Sequence, residues 1–527
     1  MRARNTKVKL LPLIMALSFL LSCCGTEPEK DDTSDDERKE PMEIVIAYWN
    51  VQDYLTGDAV QTYIENKFDV KFVPVNANYE NYPFKYQEMA SANNLPDIFV
   101  HDIMGTSAYE SWVKEGKIRA IPKDMTQYPN LDAYLSQPYN DRFKKSDGYF
   151  YAIPRITYEK EELWALDRCV LVRRDWMESL GLSMPQSWED FVAMLEAFVH
   201  RDPDGNGKDD TGGLTAANMN TLEAVYLSVF PELSNTERGW LYEDGQWMPA
   251  YHAKSTGEAL TKMQELYQKG LLAEDFGYIS SAMAKEAFAS GRVGAICMQY
   301  FAMLNYLNSL GRLDEAADMV GIMPPWPAPD GNRYRFTTSL HWSEIYFGAG
   351  VNNEKMKRIL EILEWILSDD FESIWQYGLK DVDWRLVNGV PVPMEGKFIS
   401  PLVKYPSMSV FSYLVEWKQD NQYETTDANR MAYRQENLEY AQEMLQWYEQ
   451  NTKRVNYNYD IVFMSTPAKN NLMNNKLVQN EMAKVIMGYE DARTAWPKAL
   501  DRIKGSTCLE EAIDEVTAEA KRFGIAP

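Results

Sequence analysis

A short loop of oxygen-bearing side chains, residues 202–210 (DPDGNGKDD), offers the clearest chemistry in the chain. The candidate ligands at loop positions 1, 3, 5, 7 (through its carbonyl) and 9 are Asp202, Asp204, Asn206, Lys208 and Asp210. Gly207 at position 6 permits the tight turn with which such a loop wraps a hard cation in oxygen ligands. The loop is not a full EF-hand, because Gly213 stands where position 12 would supply a glutamate. The spacing predicts a calcium site, and a solvated Asp/Asn/Gly turn is the alternative.

Aromatic residues are the second chemical feature, with 15 Trp, 32 Tyr and 20 Phe. Their rings suit either a large apolar core or a cleft for sugars, because the C–H faces of pyranose rings pack on aromatic planes. Composition does not separate these two possibilities. The sequence contains no GxSxG elbow, HExxH pair, Walker loop or dinucleotide-binding glycine pattern, so no standard catalytic or nucleotide-binding motif competes with a binding function.

Charge and cysteine content limit the partners. The formal net charge is −24, which argues against nucleic acid and against anionic lipid headgroups, since both require a basic surface. Cys169 and Cys297 lie in apolar runs and are predicted to be buried free thiols. One disulfide among these two and Cys508 is the alternative.

The N-terminus predicts export. Basic residues precede an apolar run, 10–21, which is too short to span the ~30 Å hydrocarbon layer, and Ser22-Cys23 follows. The sequence up to Cys23 resembles a bacterial lipobox, in which the cysteine is acylated; cleavage without a lipid is the alternative. We therefore predict a lipoprotein signal peptide over 1–22 and a disordered acidic tether over 23–41. The mature protein is then expected at the extracellular face of the membrane, held by its lipid.

The elements after the tether predict a sheet edge that carries polar and aromatic residues. Apolar strand patterns at 42–49, 68–75 and 95–100 alternate with helical segments, which is typical of a doubly wound parallel sheet. Ligands of such sheets bind at the carboxyl ends of the strands. Trp49 and Asn50 follow the first strand, and His101-Asp102 follows the third. Helices dominate further on, with amphipathic segments predicted at 354–377, 429–449 and 509–522.

Seven segments, in order, resemble one family, the extracellular solute-binding proteins (family 1) of bacterial ABC importers, and in particular its long oligosaccharide- and alginate-binding lipoproteins. These segments are 95–98 (LPDI), 147–155 (DGYFYAIPR), 172–182 (VRRDWMESLGL), 188–212 (WEDF to DPDGNGKDDTG), 288–294 (FASGRVG), 377–384 (YGLKDVDW) and 484–488 (KVIMG). The resemblance covers most of the mature chain. Alginate-binding members carry a calcium loop at the position of 202–210, which supports calcium here as a structural ion. Thr211 stands where the family often has glutamate, which weakens the expected ligand set.

The resemblance implies an α/β, two-lobed periplasmic-binding-protein-like (type II) fold with a hinge and a helix-rich second lobe. The N-terminal lobe is expected to comprise 42–155 plus about 305–365. The C-terminal lobe is expected to comprise 156–304 plus about 366–527. Such a protein is a binding component of an ABC importer, not an enzyme, and its hinge closes on a ligand held between the lobes.

The resemblance and the strand ends together predict the residues of the interlobe cleft. The candidates for ligand binding are Trp49, Asn50, Tyr300, Phe301, Trp326, Trp342 and Trp384. The expected partners are an oligosaccharide, the ABC permease subunits and the membrane, reached through the N-terminal lipid, with the protein itself a monomer. The alternatives are a secreted carbohydrate-active enzyme (a glycosidase or a lyase) and a binding protein for a peptide or another solute.

Overall fold

The structure is a computed structural model that describes residues 40–525, apart from 79–80, 159–160, 218, 236–238, 277, 396–398, 417–428, 431–432, 456–457 and 473–475. The predicted signal peptide 1–22, Cys23 and all of the predicted tether except 40–41 lie outside the described residues. Met42–Pro527 forms one compact unit, and the description below concerns that unit alone. Among its described helices, none is both long enough and apolar enough to cross a bilayer.

Both strands and helices are distributed along the whole unit. The strands are β1 Met42–Ala47, β2 Val70–Pro74, β3 Ile98–His101, β4 Ile153–Ile156, β5 Cys169–Arg173, β6 Gly212–Ala216, β7 Trp240–Glu243, β8 Gln246–Pro249, β9 Val293–Met298, β10 Val320–Met323, β11 Tyr334–Arg335, β12 His341–Phe347, β13 Trp384–Val387, β14 Val390–Pro393 and β15 Lys453–Arg454. The α-helices of the described residues are Val51–Tyr54, Ala59–Phe68, Tyr82–Ser91, Ser107–Lys114, Pro129–Leu135, Arg174–Leu180, Trp188–His200, Glu223–Tyr226, Thr256–Gln268, Ser281–Ala289, Tyr300–Ser309, Ala316–Met319, Asn353–Ile366, Asp369–Tyr377, Pro401–Lys404, Met408–Phe411, Gln435–Asn451, Tyr459–Val462, Pro467–Leu472, Lys476–Met487, Ala492–Ser506 and Leu509–Phe523.

The first sheet has five strands in the order β2-β1-β3-β12-β4. As predicted, β1 runs parallel to both β2 and β3, while β12 enters antiparallel between β3 and β4. Alternate residues of β3 enter different cores: Ile98 and Val100 pack on one face, whereas Phe99 packs on the other with Tyr346. This period-two burial on both faces explains why the strands read as nearly continuous apolar runs.

The second sheet has four strands in the order β10-β5-β9-β6, and it has its own two cores. Cys169 of β5 is opposite Met298, and Cys297 of β9 is opposite Val170. The two cysteines therefore point to opposite faces of the sheet, and the structure has both as buried free thiols, with Cys508 also unpaired. Burial raises the pKa of the Cys297 thiol to about 12.

Several helix boundaries follow from capping residues. Ser187 caps Trp188–His200, because its side chain accepts a hydrogen bond from the Asp190 amide, and the Asp190 carboxylate accepts from the Gln186 amide. The segment predicted as one helix, 354–377, is instead two, Asn353–Ile366 and Asp369–Tyr377. They are separated at Leu367-Ser368, where Ser368 has extended backbone angles. Three acidic residues then lie in the first turn of the second helix, where they interact favourably with its dipole.

The described elements change from one sheet's cores to the other's between β4 and β5, between β10 and β12, and between helix Met408–Phe411 and helix Gln435–Asn451. The lobe boundaries expected from the sequence stay a prediction. Within the expected segment 305–365, β10 is hydrogen-bonded in the second sheet and β12 in the first.

A small hairpin, β13–β14, stands apart from both sheets. Its two-residue turn is Asn388-Gly389, with positive φ at both residues (54° and 81°), as a type I′ turn requires. Leu386, Val387 and Val390 are exposed around this turn.

Candidate functional site

One edge of the first sheet gathers the strand ends that carry polar and aromatic side chains. The carboxyl ends of β1 and β3 meet there because the two strands are parallel. Strand β12 is antiparallel to β3, so its beginning lies at the same edge, with Glu344 opposite His101. The end of β4 joins them, since Ile156 is opposite His341. The expectation that this edge carries a site thus rests on topology alone.

Trp49 is the centre of an aromatic cluster at this edge. Its ring centroid lies 5.0 Å from that of Trp342 and 5.7 Å from that of Tyr82, and it stacks on Tyr48 at 4.2 Å. Trp49 and Trp342 are both half-buried, so each keeps part of its ring accessible, whereas Tyr48 and Tyr82 are buried. Two adjacent, tilted indole faces of this kind form a platform for an apolar ring face.

Two residues with left-handed backbone angles aim these side chains. Asn50 (φ 60°) ends the extended chain after β1 and begins the short helix Val51–Tyr54. Ser343 (φ 63°) forms a bulge in β12, where the register with β4 shifts between His341 and Glu344. A bulge re-aims the neighbouring side chain, and here that side chain is Trp342.

Arg155 links the Trp49 ring to the bulge at Ser343. Its guanidinium is fully buried; Nη1 donates to Ser343 Oγ at 2.6 Å, and Nε donates to the Tyr413 carbonyl at 2.9 Å. The guanidinium carbon lies 5.4 Å from the Trp49 ring centroid, a cation–π distance. Burial is the main reason that the pKa of Arg155 is lowered from its ordinary value. Arg155 therefore fixes the bulge and the Trp49 ring as one unit.

Asp102 supplies an acceptor beside the aromatic rings. Its Oδ1 accepts a hydrogen bond from the Tyr82 hydroxyl at 2.9 Å, and its side chain is 21% exposed, so a ligand hydroxyl can approach the carboxylate. His101 Nδ1 lies 2.9 Å from the Asp102 amide nitrogen, which donates to it, and 3.2 Å from Asp102 Oδ1. The sequence indicated His101-Asp102 at the edge but missed Tyr82. Tyr82 is the first residue of helix Tyr82–Ser91, and no local pattern shows that this end of the helix lies beside the end of β3.

The other predicted ligand contacts are packed elsewhere. Tyr300 and Phe301 are buried in the core of the second sheet, and the Phe301 ring lies 5.0 Å from that of Tyr433. Trp326 is buried 5.2 Å from Phe191. Trp384 is buried at the base of the hairpin, where Nε1 donates to the Gly378 carbonyl at 2.9 Å. The structure therefore brings Trp49, Asn50 and Trp342 to one place but not these four.

The loop 202–210 is held by its own side chains. Both carboxylate oxygens of Asp202 accept backbone amides, from Asn206 and Gly207, each at 3.0 Å. The Asn206 amide group lies 2.7 Å from Asp204 Oδ2 and 3.1 Å from Asp210 Oδ1, so the acidic side chains gather around this one residue. In the described part of the chain, no group of three or more His, Cys, Asp or Glu is arranged as a metal site. The loop nevertheless carries the oxygen donors that calcium prefers, namely three carboxylates and the side-chain oxygen of Asn206, which here accepts the Lys208 amide at 2.8 Å.

Comparison with known proteins identifies the family. Residues 58–375 match the family described as bacterial extracellular solute-binding protein, and this match spans more than half of the chain. The chain belongs to this family. Its members are binding proteins, which confirms the prediction that the chain is not an enzyme.

Two relatives of this solute-binding protein come from Bacillus subtilis. It is 25% identical over 419 residues to lipoprotein LipO of Bacillus subtilis, covering 78% of this chain and 80% of LipO. It is also 25% identical over 396 residues to the polygalacturonan/rhamnogalacturonan-binding protein YtcQ of the same organism, covering 72% of this chain and 74% of YtcQ.

Solved structures confirm the two-lobed fold. The alginate-binding protein AlgQ2 without calcium ion has a TM-score of 0.69 at 15% identity, covering 91% of this solute-binding protein and 98% of AlgQ2. The substrate-binding protein FusA of Streptococcus pneumoniae in complex with kestose has a TM-score of 0.66 at 16% identity, covering 92% of this chain and 99% of FusA.

Proposed function

We propose that this solute-binding protein is the substrate-binding component of an ABC importer and that it captures an oligosaccharide at the edge of its first sheet. The observation that carries the proposal is the paired, half-buried indoles of Trp49 and Trp342, 5.0 Å apart, beside the accessible carboxylate of Asp102. An apolar ring face next to a hydrogen-bond acceptor matches the two sides of a sugar ring.

The relatives support a saccharide over a peptide. YtcQ is named for binding polygalacturonan and rhamnogalacturonan, and FusA is named for fructooligosaccharides. From these relatives we infer only that the ligand of this chain is a saccharide, without naming a particular sugar. Since Asp102 and the buried Glu344 lie at the edge, a neutral oligosaccharide is favoured over a polyanion.

A thermal-shift screen against defined neutral and acidic oligosaccharides tests this function, with a peptide mixture in the same plate. A neutral oligosaccharide should raise the melting temperature and should be recovered unaltered after hours of incubation. New reducing ends would support the carbohydrate-active enzyme instead. A shift produced only by the peptides would support the receptor for another solute.

We further propose that the protein is tethered outside the cell through an acylated Cys23 and delivers its ligand, as a monomer, to permease subunits. LipO is named as a lipoprotein, and the family is described as extracellular. Radiolabelled palmitate should be incorporated into the full-length protein expressed in a Gram-positive host. C23S should lose the label and accumulate in the medium or as uncleaved precursor, whereas label retained by C23S would refute the anchor.

Calcium is the ion we propose for the loop 202–210. The ligands would be the side chains of Asp202, Asp204, Asn206 and Asp210, with the carbonyl of Lys208. A bound calcium ion neutralises the repulsion of three neighbouring carboxylates and pins the loop between helix Trp188–His200 and strand β6. Its role is structural, because the loop carries none of the aromatic residues of the proposed ligand site.

A further inference from the structure

The segment 459–472 is fixed to the core of the second sheet. Lys469 is buried, and its Nζ donates to the carbonyls of Val462 (2.6 Å) and Met464 (2.9 Å). The next helix, Pro467–Leu472, is held by helix Leu509–Phe523, since the Ala468 amide donates to Glu515 Oε2 at 2.8 Å. Ile461, Met464 and Leu472 belong to the same core. This segment is therefore anchored in the core of the second sheet, while its Phe463 ring also lies 5.3 Å from that of His341 in the first sheet.

The same segment also contacts the layer of helices on the first sheet, through a hydrogen bond of Asn470. Helix Pro467–Leu472 contacts helix Ser107–Lys114, whose Tyr109 and Trp112 pack on the first sheet. Asn470 lies at this contact and is 6% exposed. With its amide nitrogen facing the neighbouring carbonyls, Nδ2 donates to Gly105 O at 2.6 Å and to Thr466 O at 3.2 Å, while Oδ1 accepts from Ser465 Oγ at 2.9 Å.

The hydrogen-bond network decides this orientation of Asn470. The reverse orientation would place the amide oxygen against the carbonyl oxygens of Gly105 and Thr466, and it would leave the nitrogen facing only Ser465. Gly105 has φ 77°, so its carbonyl is presented by a turn that favours glycine, immediately before Thr106, which caps the helix. The Asn470 side chain is thus held by the segment anchored in the second sheet, and the Gly105 carbonyl is held by a turn on the first sheet's layer.

We propose that the Asn470–Gly105 hydrogen bond is a latch that holds the two lobes together without any ligand. Asn470 is then a positioning residue: it touches no ligand, but it sets the fraction of protein in the closed state and so the apparent affinity. The inference rests on the proposed function, because only a protein that closes on its ligand gains from such a bias. Loss of one buried hydrogen bond should shift the ratio of closed to open protein by about fivefold.

Small-angle X-ray scattering on the unliganded protein tests the latch, because it needs no knowledge of the ligand. At pH 7, N470D presents a carboxylate to the Gly105 carbonyl and should increase the radius of gyration relative to wild type. At pH 4 its carboxyl regains a proton that it can donate, so the radius should fall back toward the wild-type value. The wild type, measured at both pH values, corrects for titration elsewhere.

Two further variants separate a latch from a general loss of structure. N470L removes the hydrogen bond without adding charge, so it should expand the protein equally at both pH values. S465A removes only the intralobe partner of Asn470 and should leave the radius unchanged. Circular dichroism and the melting temperature establish that each variant is folded. A radius for folded N470D and N470L equal to that of wild type at pH 7 overturns the latch, whatever ligand the protein binds.

Discussion

At the scale of single residues, the two exposed indole faces should dominate ligand affinity. Aromatic residues at the centre of a binding surface commonly contribute more than 1 kcal/mol each, so W49A and W342A should each weaken binding by about tenfold or more. Isothermal titration with the oligosaccharide found in the screen measures this. Y489A is the control, because Tyr489 is 98% exposed and lies outside the aromatic cluster. Equal affinities for W49A, W342A and Y489A would contradict the site.

Arg155 should matter for stability more than for ligand contact. R155M leaves the Tyr413 carbonyl and Ser343 without their charged donor, which should cost about 3 kcal/mol of the free energy of unfolding. The matched control is R312M, since Arg312 makes a surface pair with Glu315 and should cost less than about 1 kcal/mol. Urea unfolding followed by fluorescence compares the two, and similar losses would refute the brace.

Part of the candidate site was predictable from the sequence for a physical reason. Trp49 and Asn50 were expected at this edge because the ends of parallel strands meet there, a rule that needs only the strand pattern. Tyr300, Phe301, Trp326 and Trp384 were predicted from position and residue type, and an aromatic ring serves a core as well as a cleft. Their burial depends on contacts between distant segments, such as Trp326 with Phe191, which no local pattern encodes.

At the scale of elements, the loop 202–210 should make stability depend on calcium. At a calcium concentration a hundredfold above the dissociation constant, binding adds about 2.7 kcal/mol to the free energy of unfolding, and a chelator should remove it. D204A and D210A should melt at the same temperature with calcium and with chelator. D209N, at a loop position without a predicted ligand, should keep the calcium response. A response that survives in D204A and D210A would place the ion elsewhere.

The turn in the crossing from β10 to β12 should be sensitive to acid. The hydroxyl of Tyr334 and the side chain of Asn332 donate to Asp330, which lowers its pKa from 3.8 to about 2. A group whose pKa is lowered by folding stabilises the fold fully above its unfolded pKa and loses that contribution as pH falls through the folded value. The stabilisation should therefore disappear between about pH 4 and pH 2.

Melting temperatures across that pH range, for wild type and D330N, measure the contribution of Asp330. D330N has no carboxylate to protonate, so the difference between the two proteins should shrink as the pH falls from 4 to 2. A difference that stays constant over this range would contradict the assignment.

Element types were easier to predict than their ends or partners. Strands β1 to β3 were predicted as parallel because their apolar runs alternate with helices. The division of 354–377 into two helices was missed, since the apolar period continues through Leu367-Ser368 and only the backbone of Ser368 breaks it. The entry of β12 between β3 and β4 was also beyond local patterns, because its partners lie about 190 to 240 residues away in the sequence.

At the scale of the whole molecule, the proposed latch should keep part of the unliganded protein in the closed state, and the ligand should increase that part. A saturating oligosaccharide should not increase the radius of gyration of the wild type. It should lower the radius of N470L toward the wild-type value, because the ligand binds the closed state better. Scattering with and without the sugar measures this. N470L that binds the sugar yet stays expanded would show that closure is not coupled to this ligand.

The prolines of the small hairpin bear on how crowded copies of this protein behave. Because Val387 and Val390 flank a two-residue turn, Pro391 and Pro393 occupy positions whose amide would point outward from β14. A proline has no such amide, so the outer edge of β14 cannot offer a full row of donors to another strand. Exposed Leu386 and Val390 are thus carried on a hairpin whose outer edge resists pairing with a strand of another copy.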